Sequence, residues 1–329
     1  MDYALTNNNL LEALKNLTIK ENTFIVNEEV LDDFIKSLRG TTEATKEDYY
    51  KGAKNFIEYC KENGINEATE ETITSYYNSL VARIGKPKEE KGLTTNSVNL
   101  YLVALRKLYK YLAKKGVKNI ASDLKSVKTT RDYKKDVLTK SQALDLLNSI
   151  DRTTEVGKRN YALITLLLYT GLRTIEVERA KIEDLRIKGT KQVLQVQGKG
   201  HKEKDDYIKL NNIVYDAILD YLNARKNIKP NDPLFISYSD RSNGETLKTR
   251  TIRDIVKKHL RAIGINTTRI SSHSLRHTAI TYALLGGATL QEAQLLARHS
   301  NINTTLIYAH NIDKLNNNYE DKINNYLTS

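Results

Sequence analysis

A periodicity constrains the fold most. From Asn22 to Ser122 apolar residues recur at helical spacing, and no period-2 alternation interrupts them. Val30, Phe34, Ile35 and Leu38 share one face. Tyr49, Tyr50, Ala53, Phe56, Ile57 and Cys60 share a second, with Gly64 as a cap, and Ile73, Tyr76, Tyr77, Leu80 and Val81 share a third. After a break at Gly85, Pro87 and Gly92, Thr94 or Thr95 caps a long amphipathic helix bearing Val98, Tyr101, Leu102, Leu105, Leu108, Tyr109 and Leu112. Gly116 ends it. The pattern predicts an all-helical domain over residues 22–122, preceded by a short polar lead over 1–21.

Residues 123–136, DLKSVKTTRDYKKD, lack apolar periodicity. They carry Lys125, Lys128, Arg131, Lys134 and Lys135 and read as a basic linker. A second domain is expected over 137–312. Thr139 with Gln142 makes a capping box for a helix from Ser141 to Ile150. Lys158 to Tyr169 is a strongly apolar helix stopped at Gly171, and Leu172 to Glu176 opens a short helix reaching Ala180. Gln192 to Gln197 alternates like a strand, and Tyr207 to Leu210 reads as its returning partner, with Lys199 at the tip between them. Helices follow over Asn212–Arg225 and Thr249–Ile263, with Pro230 and Pro233 punctuating the loop between. The expected fold is mainly α with a small β-sheet: a helical N-terminal domain followed by an α+β domain.

The 329 residues exceed one typical domain and suit two. The longest apolar stretch, Tyr161 to Tyr169, is far too short to span a bilayer. The first residues lack a basic segment followed by an apolar one, so no secretion signal is expected and a cytoplasmic location is. The single cysteine, Cys60, excludes an internal disulfide and a cysteine-based zinc cluster. Net charge is +12, which reads either as a solvated lysine-rich surface or as a surface for a polyanion such as nucleic acid. Arg106, Lys107, Lys110, Lys114 and Lys115 lie on the polar side of the long helix, where they serve solubility or DNA phosphates.

The chemistry concentrates between Ser271 and His310, a stretch of two helical segments joined at Gly286-Gly287. His273 and Arg276 share a helical face. Arg276 and Arg173, if they converge, grip a phosphate in bidentate fashion and stabilise a pentacoordinate transition state. Arg173 alone reads equally as a surface arginine paired with Glu176. Lys199 suits an acid for a leaving 5′-oxygen, or a solvated turn beside His201, Lys202 and Lys204. Tyr308 is the candidate nucleophile, or one packed tyrosine among 20. A phenol with pKa near 10 needs nearby cationic charge or a base before it attacks phosphorus. Asn303, Thr304 and Thr305 are expected to cap the helix that presents it. His273 and His277, at i, i+4, have zinc-compatible spacing, but no H-E-x-x-H pattern accompanies them, and no metal is expected.

Four segments in order carry a resemblance. TGLRTIE holds Arg173 and Glu176, GKGHKEK holds Lys199, HSLRHT holds His273 and Arg276, and HSNINTTLIYAH holds His299 and Tyr308. Together they resemble the motif boxes of the tyrosine recombinases, the integrase, Xer and Cre family, closely over residues 137–310 and loosely before them. The resemblance implies a site-specific DNA recombinase acting without cofactor, metal or ATP. It implies that Arg173, Arg276 and His299 bind the scissile phosphate. Lys199 would protonate the leaving 5′-hydroxyl, His273 would assist proton transfer, Tyr308 would form a 3′-phosphotyrosyl link, and Glu176 would support the site through Arg173 or His273.

It further implies a two-domain C-shaped clamp whose helical core-binding domain and linker meet DNA through Arg106, Lys107, Lys110, Lys114, Lys128, Arg131 and Lys134. The partner is double-stranded DNA with inverted-repeat core sites, bound by a homo-tetramer with a dimer on each site, with accessory proteins in some members. Strands would exchange through a Holliday junction, and a tail over residues 313–329 would dock on a neighbouring protomer. A mobile-element integrase and a Xer-like resolvase both fit. A type IB topoisomerase-like relaxing enzyme and a non-enzymatic DNA-binding regulator are the rivals. One position departs from the family: Arg298 stands before His299 where glycine is common, which puts the local backbone in question.

Overall fold

The structure is a computed structural model and describes residues 28–128, 136–198, 203–316 and 319–328. The chain divides into two compact units at Arg131 and Asp132.

Among the described residues the first unit contains four α-helices: α1 (Glu28–Ser37), α2 (Glu43–Glu62), α3 (Glu70–Val81) and α4 (Thr95–Ala113). Side-chain chemistry sets their starts. Thr42, Thr69 and Thr94 each accept the backbone N–H three residues on, and Thr72 completes a capping box with Thr69. Their apolar faces meet in one core around Phe34, Phe56, Tyr76, Leu105 and Tyr109. The Phe56 ring packs edge-on against Tyr76 and Tyr109. Helices α2 and α4 cross closely at Gly52, where an added Cβ would lie 2.6 Å from the Ala104 Cβ. The start of the expected linker is bound to this unit. Leu124 and Val127 pack on its core, the Asn99 side chain makes two hydrogen bonds with the backbone of Val127, and Arg106 donates to the Leu124 carbonyl and Ser126.

The second unit is α+β. Helices α5 (Lys140–Asn148), α6 (Glu155–Thr170) and α7 (Thr174–Glu178) precede a three-stranded antiparallel sheet of β1 (Leu185–Lys188), β2 (Lys191–Val196) and β3 (Asp206–Lys209) in that order. Helices α8 (Asn212–Ala224), α9 (Thr249–Ala262), α10 (Ser272–Leu285), α11 (Leu290–Ala297), α12 (Asn303–Asn316) and α13 (Tyr319–Thr328) follow. Thr139 and Gln142 form the expected capping box. Strand β1 has no counterpart in the sequence reading: its four residues, Leu-Arg-Ile-Lys, are mostly exposed, so no apolar face marks them.

Helix α6 is buried along most of its length and packs against α8 and α10, forming the spine of the larger core. Arg159 is buried within it, bonded to the Asn160 side chain and the Ile236 carbonyl and stacked over Tyr238. The start of the unit is tied to α10. The Thr278 hydroxyl accepts from Leu138 N–H, Tyr282 donates to the Leu138 carbonyl, and Arg269 makes a paired ion bridge to Asp136. The α10 helix therefore begins from a held base, which fixes the side chains that project from its first two turns.

At Gly52 overpacking and propensity compete. A side chain gains about 0.5–1 kcal/mol of helix preference over glycine but forces α2 and α4 apart. Gly52→Val is expected to lower stability by about 2 kcal/mol, within the usual range for overpacking. Thermal melts of the full chain by circular dichroism check this, and a variant at least as stable as the parent would refute the close crossing.

Candidate active site

Arg276 is a buried cation held on two sides. It projects from the second turn of α10 and is 2% exposed. Its Nη1 donates to the Gly171 carbonyl at 2.5 Å, and its Nη2 donates to the Ala297 carbonyl. Both acceptors are at the C-terminal ends of helices, α6 and α11, where unpaired carbonyls and the helix dipole favour a cation. Gly171 takes φ 61 and ψ 24, the left-handed cap conformation that glycine adopts freely. That turn brings the chain back past α10, with Arg276 Cγ 3.7 Å from where a Cβ on Gly171 would stand. Burial, then the neighbouring Arg173 and Arg298, push the Arg276 pKa down to about 10. It stays a cation at neutral pH.

Arg173 is the first residue outside α7 and belongs to a second ionic group. Its backbone N–H donates to Glu176 Oε2 at 2.7 Å, and its Nη1 to Oε1 at 3.1 Å. Glu176 is 1% exposed. The same Oε2 accepts from Arg298 Nη2 at 2.8 Å. Two guanidinium groups therefore share one buried carboxylate. The expected support of Glu176 for Arg173 takes this form, and its second partner is Arg298. The Arg173 N–H is bound to Glu176, so it does not add a free donor to the site.

The remaining groups gather around these. His273, His277, His299 and Tyr308 line one cleft of about 650 Å3 with Arg173, Arg276 and Arg298. Tyr308, on α12, packs on Ile280, Ala293 and Ala297 and is 5% exposed. Its phenol oxygen is 2.5 Å from His277 Nδ1. With the His277 ring proton on Nε2, Nδ1 accepts the phenol proton. The His273 and His277 rings meet edge to face with centroids 4.6 Å apart. Among the described residues no group of three or more histidine, cysteine or acidic side chains is arranged to hold a metal ion. His299 Nδ1 is 2.9 Å from the Thr305 hydroxyl; when that hydroxyl donates, the ring proton is on Nε2. Burial, then Arg276, Arg173 and Arg298, hold the His299 pKa at about 4, so the ring is neutral at pH 7.

Of the residues singled out in the sequence, the cleft brings together Arg173, Glu176, His273, Arg276, His299 and Tyr308. Lys199, Arg131 and Lys134 lie outside the described residues. Lys107, Lys110, Lys114 and Lys128 are exposed, whereas the Arg106 guanidinium is engaged with the 124–126 segment. Lys204 is not a solvated turn lysine: it pairs with Asp184, which is 2% exposed and also caps Lys181. The expected cap on α12 is displaced. Asn301 Oδ1 receives the Asn303 N–H, and Thr305 turns instead to His299. Asp205, Asp206, His277 and Arg298 also line the cleft, and the sequence assigns none of them a part in the chemistry. His277 had shown only its metal-like spacing, and Arg298 only its departure from glycine.

Arg298 does take the glycine-like backbone, with φ 51 and ψ 48, at the end of α11. A non-glycine residue there is strained by about 1–2 kcal/mol. The bend carries the chain from α11 into His299, and the guanidinium folds back onto Glu176.

Comparison with known proteins agrees with this geometry. Residues 136–314 match the phage integrase family, and residues 29–119 match the phage integrase N-terminal SAM-like domain. Tyrosine recombinase XerC of Caldanaerobacter subterraneus is 34% identical over 71% of this chain, a match that spans 64% of that relative's length. Tyrosine recombinase XerC of Thermodesulfovibrio yellowstonii is 31% identical over 67% of the chain and 73% of its own length. XerD of Listeria innocua is 28% identical over 86% of the chain and 94% of its own length. In fold, the chain resembles XerH site-specific recombinase bound to palindromic difH substrate, with a TM-score of 0.68, 21% identity and coverage of 88% of this chain and 84% of that one. The match over more than half its length, together with the ordered arginines, histidines and tyrosine of the cleft, shows that the chain belongs to the phage integrase family, the tyrosine recombinases.

Proposed function

We propose that this chain cuts and rejoins double-stranded DNA at specific sites through a covalent 3′-phosphotyrosyl intermediate. One observation carries the reading: the Tyr308 phenol lies in the same cleft as Arg173, Arg276 and His299, with a proton acceptor 2.5 Å away. Arg276, fixed by two helix ends, and Arg173, held by Glu176, grip the non-bridging oxygens of the scissile phosphate. Neutral His299 donates one hydrogen bond from Nε2. The Tyr308 oxygen bonds to phosphorus as its proton passes to His277 Nδ1. The bond from phosphorus to the 5′-oxygen breaks, and Lys199 protonates that oxygen, with His273 assisting. The phosphotyrosyl ester keeps the bond free energy, so attack by a 5′-hydroxyl reverses the step without ATP, metal or other cofactor. Charge neutralisation by fixed cations supplies the main stabilisation of the pentacoordinate state.

The wider assignment follows from the same reading. The helical unit serves as a core-binding domain and the second as the catalytic domain. Exposed Lys107, Lys110, Lys114 and Lys128, with Arg131 and Lys134, meet the DNA backbone, while Arg106 serves mainly to hold the segment after α4. Core sites are inverted repeats, each taking a dimer, and two such sites form a tetramer that exchanges strands through a Holliday junction, with accessory proteins where needed. Ile323, Tyr326 and Leu327 on α13 are 61–83% exposed, which suits docking on a neighbouring protomer. The protein acts in the cytoplasm on nucleoid DNA; among the described residues no helix is long and apolar enough to cross a membrane.

A pool of nicked duplexes with randomised sequence tests the reaction. Wild type should yield an adduct that survives denaturant and is lost in Tyr308→Phe; persistence of the adduct in that variant removes Tyr308 as nucleophile. Arg173→Lys should lower adduct formation on the order of a hundredfold, the scale for losing a fixed donor to developing charge, with little change in duplex binding. Parallel loss of both would assign Arg173 to binding alone.

The state of His299 has its own consequence. Unfolded, the ring takes up a proton near pH 6.5; folded, it resists until about 4. Between these values the unfolded chain binds more protons. The contribution of this group to stability is therefore intact above about pH 6.5 and lost as pH falls toward 4. Thermal midpoints measured from about pH 7.5 to about pH 5 should fall more in wild type than in His299→Gln. Equal slopes would show that His299 is not held neutral.

A further inference from the structure

The charges around the cleft do not favour an anion as strongly as its arginines suggest. Among the described residues that line it, Arg173, Arg276 and Arg298 face Glu176, Asp205 and Asp206. Three guanidinium groups meet three carboxylates, and His299 is neutral at pH 7. Arg298 stands against two of these carboxylates, Glu176 and Asp206, whose charge would otherwise oppose a phosphodiester and oppose the more highly charged pentacoordinate state further.

Arg298 is placed to correct this balance. Its side chain is 11% exposed. Nη2 is bound to Glu176, Nη1 donates to the Leu296 carbonyl at 3.2 Å, and Nε is 4.0 Å from Asp206 Oδ2. Nε is buried and has no hydrogen-bond partner among the described residues, a costly state for a charged donor. Arg298 also lowers the proton affinity of both Arg276 and His299, which places its charge within range of the groups that would face the phosphate. A glycine would adopt φ 51 without strain, so the backbone itself does not call for an arginine.

We propose that Arg298 is a positioning residue that sets the charge of the phosphate pocket. It offsets Glu176 and Asp206, so that Arg173 is not wholly neutralised by Glu176 and keeps charge for the substrate. This rests on the reading of the cleft as a phosphodiester-cleaving site.

Two substitutions test it. Arg298→Gly removes the charge and relieves the backbone, so the fold should survive. Asp206→Asn then removes one opposing charge while keeping an acceptor for the Tyr207 N–H. With the duplex sequence recovered by wild type from the nicked pool, single-turnover adduct formation by Arg298→Gly should fall at least about tenfold, with duplex binding retained. Adding Asp206→Asn should recover most of that loss. Thermal stabilisation of the DNA-free protein by inorganic phosphate should follow the same order: present in wild type, lost in Arg298→Gly and regained in the double variant. Wild-type behaviour of Arg298→Gly in both assays would overturn the proposal. So would a loss that Asp206→Asn does not relieve, because a purely structural role is insensitive to the second charge. If wild type forms no adduct, the recombinase reading fails on its own and the phosphate measurement alone decides on Arg298.

Discussion

The Arg276 guanidinium, bonded to the Gly171 and Ala297 carbonyls, is the interaction on which the rest of the second unit depends. An ionised group this deeply buried is costly unless it is paired and hydrogen-bonded. Here the partners are backbone oxygens at the ends of α6 and α11, and neither can move without moving a helix. One side chain on α10 thus joins three helices and holds its own orientation. The Gly171 turn is part of the same device, because its left-handed backbone aims the carbonyl. A cation fixed in this way needs no reorganisation when charge develops near it, which is the physical basis of electrostatic preorganisation.

The buried Glu176 carboxylate organises a second layer. It receives Arg173 twice and Arg298 once, so it orders the entrance to α7 and the bend after α11 together. In the proposed reaction a carboxylate beside the phosphate is a liability as well as a support, since it opposes the substrate's charge. The strained backbone of Arg298 is intelligible in that light. The strain, about 1–2 kcal/mol for a left-handed non-glycine residue, accompanies a second cation on Glu176, which Arg173 already pairs. Tyr308 depends on both layers. Thr305, one turn before it, holds His299, while Ile280, Ala293 and Ala297 form the apolar seat of the ring.

Much of the fold was legible in the sequence because its signals are local. Apolar spacing located α2, α3 and α4, and Thr139 with Gln142 marked the start of α5 through a three-residue relation. The hairpin of β2 and β3 showed as alternation, whereas β1 did not, because an edge strand with mostly exposed side chains has no buried face to signal it. The cap on α12 was misplaced by two residues: Asn301 takes the Asn303 N–H, and Thr305, an equally competent cap by type, bonds to His299 instead. Arg106 was grouped with the basic face of its helix, yet a carbonyl and a hydroxyl some twenty residues on capture it.

By itself the sequence determined the helical architecture and the order of the candidate site residues. Periodicity and capping act between near neighbours, and the ordered boxes around Arg173, His273, Arg276, His299 and Tyr308 are specific as a set. Only the tertiary structure decided which atoms meet. It set the His277 acceptor against the Tyr308 phenol, divided Glu176 between two arginines, and assigned Lys204 to Asp184. These pairings join residues that are as much as 122 positions apart. They depend on distances of a few ångströms and on how far water is excluded, and neither quantity is written in the spacing of residues along a chain.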